Sequence, residues 1–163
     1  MPTWILLQSN SPSSAWSIEA FSNAGEEAEL HLTEGIGQCL KVLKDAGLKL
    51  GIICDVGMTP SASLRTHLIR HGVLPLFDHW SFSDEVGAYK PSPVIFELAL
   101  RTLGCAPGDV LHVAQGFEYD IVPTHGLGWA RVWINRYGKV GDPAYGPYHE
   151  LPDLSGVPDL LGL

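Results

Sequence analysis

The chain has 163 residues and a formal charge of −8, from 18 acidic side chains against 10 Lys and Arg. That balance excludes the basic stripe a nucleic-acid partner requires, and a hydrophobic share of 45% excludes wholesale disorder and predicts one domain with a real core. No apolar run approaches the roughly 20 residues of a membrane-spanning helix, and Met1 to Leu7 lacks the basic start of a secretion signal, so the reading is a soluble, cytoplasmic chain with no membrane partner.

Near the amino end, Trp4-Ile5-Leu6-Leu7 is the one candidate strand, and Ser9 to Ser14 has the Ser, Asn and Pro content of a linker. Glu19 to Leu30 reads as a helix with Ala20, Phe21 and Ala24 on one side. From Thr33 onward helix and strand alternate. Ile36, Leu40 and Leu43 recur at helical spacing, and Gly47 stands where that helix stops. The apolar run Leu48 to Cys54 suits a buried parallel strand. Thr59-Pro60 starts a helix that carries Leu64, Leu68 and Ile69 and is closed by Gly72. His79 to Ser83 alternates like a strand.

Ser92-Pro93 opens a further helix, with Val94, Phe96, Leu98 and Leu100 turning inward and Gly104 ending it. Val110 to Ala114 is a third buried strand. Glu118 to His125 is a short helix that Pro123 shortens or bends. Trp129 to Asn135 is a fourth strand, its two tryptophans assigned to core and edge packing. The alternation predicts an α/β fold, a three-layer doubly wound parallel sheet with helices on both faces. The division expected is residues 1–32 as an atypical strand, linker and cap-remnant helix, 33–136 as the core, and 137–163 as a Pro- and Gly-rich strap, with a disordered end as its alternative. Cys39, Cys54 and Cys105 are odd in number and lack metal-like spacing, so buried free thiols are expected.

Three segments fall at the carboxyl ends of predicted strands, where such a fold places its site. They are Cys54-Asp55-Val56-Gly57-Met58-Thr59, then Ser83-Asp84-Glu85 through Lys90-Pro91, then Gln115-Gly116 through Asp120. Their order and spacing resemble the second, third and fourth motifs of the haloacid dehalogenase (HAD) superfamily, closest to the branch of type II haloacid dehalogenases and related phosphatases. The resemblance runs from about Glu19 to the carboxyl terminus. It implies a Rossmann-like hydrolase core whose helical cap is here reduced or absent, acting on a small organic acid or phosphate ester.

Carried over residue by residue, the resemblance puts Cys54 where the family has a Ser or Thr that bonds the transferring group; a thiol is a weaker donor. Asp55 stands where asparagine is frequent. Lys90 matches the lysine that neutralises the nucleophile and the leaving oxyanion. Gln115 and Thr59 are substrate-binding candidates, and Asp120 is the remaining candidate for holding magnesium. Gln115 replaces a carboxylate by a neutral amide, a poor magnesium ligand, so the resemblance gives magnesium weak support. The plainer alternatives are a surface ion pair of Lys90 with Asp84 and Glu85, a helix-dipole role for Asp120, a hydrogen-bonded core role for His112, and a solvated helix face for His67 and His71.

The family's nucleophile is an aspartate ending the first strand, and no aspartate precedes Asp45. If Thr3 to Leu7 takes that strand's central place, Gln8 and Asn10 stand where carboxylates belong, and an amide is neither a covalent nucleophile nor a general acid. The rival is a truncated gene product whose sheet closes imperfectly or is completed by another chain. Two functions follow: an impaired HAD-like hydrolase, or a non-catalytic domain on the same scaffold that binds a small anion or a protein partner. The oligomeric state is left open.

Overall fold

The computed structural model describes residues 31–33, 35–57 and 59–163. Thr3 to Leu7, the linker and the helix assigned to 19–30 lie outside the described residues. Helix α1 (Ile36–Asp45) leads to strand β1 (Gly51–Cys54), helix α2 (Ser61–Arg70) and strand β2 (His79–Phe82). A single turn, α3 (Ser83–Val86), and helix α4 (Pro93–Leu103) precede strand β3 (Leu111–Ala114). A wide π-type turn at Phe117–Ile121 runs into helix α5 (Val122–Gly126), followed by strand β4 (Ala130–Ile134), strand β5 (His149–Leu151) and helix α6 (Val157–Leu161).

Every strand pairing is parallel. Strands β1 and β2 pair with Ile52 opposite Trp80, and β3, β4 and β5 form a second group with Val113 opposite Val132 and Val132 opposite His149. Helices cover both faces, as successive residues of β3 show. His112 meets the ring of Phe96 on α4 edge-on, with centroids 5.7 Å apart. Its neighbour Val113 packs with Cys39 and Leu43 of α1 and Val157 of α6. Adjacent strand residues point to opposite faces, so α4 lies on one side and α1 and α6 on the other.

Each of these layers spans the two strand groups. The cluster on α4 joins Ile53 of β1 to Trp129 and Val110 beside β3 and β4. The cluster on α1 joins Leu50, before β1, to Leu111 and Val113. The doubly wound α/β arrangement expected from the alternation of elements is therefore present.

Several local expectations are corrected. Helix α4 buries Ile95, Phe96 and Ala99, whereas Val94 is half exposed. Proline occupies the first turn and Ser92 Oγ accepts from the Val94 N–H, which sets the helix so that 95, 96 and 99 share the inner face. Helix α2 buries Ser61, Ser63 and His67 and leaves Ile69 60% exposed. Leu64 and Leu68 of the same helix are half-buried. The solvated face expected for His67 and His71 is thus wrong for His67, while His71 is exposed.

Pro123 starts a helix rather than bending one. The amides of Asp120 and Ile121 both donate to the Gly116 carbonyl, at 2.9 and 3.3 Å, which widens the turn, and Pro123 then falls in the first turn of α5, where its missing N–H forfeits no bond. The strap reading of 137–163 misses β5 and α6. Buried Arg131 explains how this Gly- and Pro-rich segment is held: its guanidinium donates to the carbonyls of Ile121, Tyr145 and Pro147. Trp129 and Trp133 are both buried. All three cysteines are free, with Cys39 buried and Cys54 and Cys105 half-buried.

Because Phe96 is fully buried between Ile95, Trp129 and His112, Phe96→Ala is expected to cost about 3–5 kcal/mol. Val94→Ala, one residue away, is expected to stay within about 0.5 kcal/mol. Urea denaturation of both variants checks the assigned helix face.

Candidate functional site

The carboxyl ends of β1, β2 and β3 are tied together by polar side chains. Ser83, fully buried at the exit of β2, accepts the Val56 N–H at 2.9 Å and so fixes the loop leaving β1. Asp84 accepts the Ser61 N–H at 3.0 Å, and Glu85 accepts the Ser61 hydroxyl at 2.7 Å and pairs with the Arg65 guanidinium. The hydrogen bond from Arg65 holds the Glu85 carboxyl down to about 2. These two acids secure the start of α2. They are not partners of Lys90, which removes the surface-pair alternative.

Lys90 is instead drawn inward. Its ammonium lies 2.9 and 3.1 Å from the two carboxylate oxygens of Asp120; the aspartate is buried and the lysine half-buried, with side chains 6% and 14% exposed. Its own N–H donates to Asp55 Oδ1 at 3.0 Å. His112 Nε2 lies 3.1 Å from Asp120 Oδ1. Three consecutive strand exits therefore contribute to one network: Asp55 after β1, Lys90 in the segment after β2, and Asp120 in the turn after β3.

The wide turn that carries Asp120 needs a glycine at its base. A Cβ on Gly116 would fall 2.5 Å from Asp120 Oδ2, so any other residue there displaces the carboxylate. Burial pushes the Asp120 carboxyl up, but the His112 hydrogen bond and the Lys90 charge outweigh it and hold the group below the usual carboxylate range. The helix-dipole account of Asp120 is thereby replaced by ion pairing.

The other candidates are placed less directly. Cys54 closes β1, and its thiol leans on the Asp55 carbonyl at 3.6 Å. Burial pushes that thiol up, Lys90 opposes the rise, and Asp55, Asp120 and Asp84 add to it. The thiol is held protonated and is no thiolate nucleophile. Gln115 is exposed, and its main-chain carbonyl accepts the Trp133 indole N–H at 3.1 Å. Thr59 is half-buried just ahead of α2, a helix that begins without a side-chain cap. Among the described residues, the hydrogen bonds of the Lys90 network run to Asp55, Asp120 and His112 and include neither Gln115 nor Thr59.

Sequence reasoning missed the supporting parts. It gave His112 a core role, and the histidine does pack between Phe96 and Trp129, but it also steadies the site carboxylate. The signal was available: a histidine alternating in a strand, eight residues before the aspartate. Gly116 and Ser83 carried no such signal, because their value lies in backbone geometry.

The described residues do not fit a magnesium ion. Both oxygens of Asp120 face the Lys90 ammonium, Gln115 offers a neutral amide, and no group of three His, Cys, Asp or Glu side chains is placed to hold a metal among the described residues.

Removing one partner of a buried pair strands the other, so Lys90→Met is expected to cost about 3 kcal/mol, and Lys90→Met with Asp120→Leu should recover most of that loss. Asp120 has a folded pKa below its unfolded one. Its contribution is thus fully present above the unfolded value of about 3.9 and is lost as pH falls through the lower folded value. Asp120→Asn should flatten that part of the acid limb in urea denaturation measured from pH 6 down to 2.

Comparison with known proteins bears on this geometry. The model of the haloacid dehalogenase-like hydrolase family matches residues 7–122. A glyceraldehyde 3-phosphate phosphatase of Methanothermobacter thermautotrophicus is 39% identical over 93 residues, covering 57% of this chain and 40% of that protein. A haloacetate dehalogenase of Moraxella sp. is 31% identical over 125 residues, covering 76% and 54%. A solved HAD phosphatase from Thermococcus onnurineus superposes with a TM-score of 0.71 at 32% identity, over 81% of this chain and 59% of that one. The chain thus spans 40% to 59% of the length of these relatives. None of the described helices is long and apolar enough to cross a membrane. By the matched region, the parallel α/β fold and these relatives, the chain belongs to the haloacid dehalogenase-like hydrolases.

Proposed function

We propose that the chain is a HAD-like hydrolase domain, dehalogenase-like or phosphatase-like, that keeps the cationic half of its site and is impaired in turnover. The observation that carries this reading is the Lys90 ammonium, half-buried and aimed by Asp120 where three strand exits converge. An ammonium has three N–H donors, and Asp120 occupies two, so one is left for the oxygen of a bound anion or a leaving group. The relatives' names point to small anionic substrates, glyceraldehyde 3-phosphate in one case and haloacetate in the other.

Impairment follows from what the described carboxylates and thiol already do. Asp120 is bound by Lys90 and His112, one Asp55 oxygen takes the Lys90 N–H, and the Cys54 thiol is kept protonated. None of the three is a free nucleophile. Asp55 also changes the charge. An asparagine would accept the same N–H through its own oxygen, so the aspartate adds a negative charge beside the one lysine and weakens the hold on an anion. The lack of a free nucleophile among these three groups favours the second reading, a non-catalytic domain of the same fold that binds a small anion or a protein partner.

An assay with 4-nitrophenyl phosphate and 2-chloropropionate, with and without magnesium, separates the two. Weak turnover that falls at least about a hundredfold in Lys90→Ala supports the hydrolase, and a folded but inert wild-type chain supports the non-catalytic domain. Asp55→Asn should tighten phosphate binding by about 1 kcal/mol, roughly fivefold, through loss of one like charge, as read by calorimetry.

A further inference from the structure

The two partners of Asp120 differ in rigidity. Lys90 reaches it on a four-carbon stem from the segment after β2, a side chain rich in rotamers. His112 reaches it from within β3, as a short planar ring on a strand paired to β4. Two aromatic contacts hold that ring. Phe96 on α4 meets it with centroids 5.7 Å apart at an interplanar angle of 81°, and Trp129 meets it at 5.8 Å and 61°. An ionised carboxylate only accepts hydrogen bonds, so the nitrogen 3.1 Å from Asp120 Oδ1 carries the hydrogen, and His112 donates from Nε2. The two carboxylate oxygens are therefore unequal. Among the described residues Oδ1 accepts from both His112 and Lys90, and Oδ2 accepts from Lys90. Against the upward push of burial on the Asp120 carboxyl, the strongest downward pull is the hydrogen bond from His112, ahead of the Lys90 charge.

We infer that His112 is a positioning residue of this site: it anchors Asp120 to the sheet through Oδ1, so that the Lys90 ammonium turns its remaining N–H to a bound anion without carrying the carboxylate along. The inference rests on the reading of Lys90 as the group that meets the anion. A lysine paired with an unanchored carboxylate moves as one dipole, and the carboxylate then follows the ammonium toward the anion and repels it. A carboxylate fixed from behind stays where it is, and the repulsion is not added when the anion arrives. The fixing runs outward from the core. Phe96 and Trp129 set the ring, the ring sets Oδ1, and Asp120 sets Lys90, which is the preorganisation a binding constellation needs. Packing alone does not call for a histidine here. A phenyl ring would offer the same edges to Phe96 and Trp129, and what the imidazole adds is the donor.

Two substitutions separate the donor from the packing. His112→Phe keeps the ring and loses the N–H, whereas His112→Gln loses the ring and keeps an amide N–H at similar reach. Binding of inorganic phosphate to the full chain is measured by calorimetry, and the ring nitrogens of the natural chain are followed by NMR with labelled histidine. His112→Phe is expected to weaken phosphate binding by about tenfold or more, the loss of one hydrogen bond to a charged group, and His112→Gln to restore it to within about threefold of the natural chain. A packing role alone predicts the reverse order. The NMR spectrum should show His112 carrying an exchange-protected hydrogen on Nε2. Phosphate binding undiminished in His112→Phe, or no better in His112→Gln than in His112→Phe, overturns the inference, and so does a bare Nε2. If the natural chain binds no phosphate, the reading of Lys90 as an anion site fails. The nitrogen signal then decides the role of His112 by itself, as it does if a variant does not fold.

Discussion

Lys90 and Asp120 come from opposite sides of the divided sheet, and their ion pair is the contact on which the arrangement of the site depends. Two opposite charges at 2.9 Å, the aspartate buried and the lysine half-buried, carry a desolvation cost that good geometry and further hydrogen bonds must offset. The structure supplies both. The carboxylate meets the ammonium with its two oxygens, and one oxygen also meets His112. The backbone on each side is fixed independently, by Asp55 at Lys90 and by the Gly116 carbonyl at Asp120. Neither charge can shift without disturbing a strand exit, so the network acts as a rivet between two strand groups that share no ladder among the described residues.

Much of this was legible in the sequence, for physical reasons that differ by element. Helix α1, strands β1 to β4 and helix α4 announce themselves because apolar residues recur at the period of each element and glycine or proline marks the ends. The order of Asp55, Lys90 and Asp120 after successive strands likewise marks three residues that share one hydrogen-bond network. The pairing within the site was not legible. Asp84 and Glu85 are nearer to Lys90 in sequence than Asp120 is, yet they face Ser61 and Arg65. Which carboxylate a lysine meets is settled by how strands stack, and a sequence read in one dimension does not carry that.

Helix α2 and the carboxyl-terminal segment show two further limits. In α2 the buried face is Ser61, Ser63 and His67, small and polar groups that hydropathy reads as outward. In the carboxyl-terminal segment the pattern is dominated by glycine and proline, and β5 has only three residues. Its position comes from pairing with β4 and from Asn135, whose amide nitrogen reaches the Lys139 carbonyl and the Glu150 carboxylate, both at 2.7 Å. Those bonds are long-range consequences of one buried side chain and leave no local signature.

Arg131 links that segment to the chemistry in a way that has its own consequence. The guanidinium grips main-chain oxygens only, one in the turn that carries Asp120 and two, at Tyr145 and Pro147, in the loop before β5. A grip on carbonyls is indifferent to the side chains that bear them, provided the loop keeps its course. The loop is therefore free to vary its surface chemistry while the carboxylate turn stays anchored from behind. Insertions or deletions between 136 and 148, by contrast, would shift the acceptors themselves and be felt at the site, although the Lys90 hydrogen bonds run to Asp55 and Asp120.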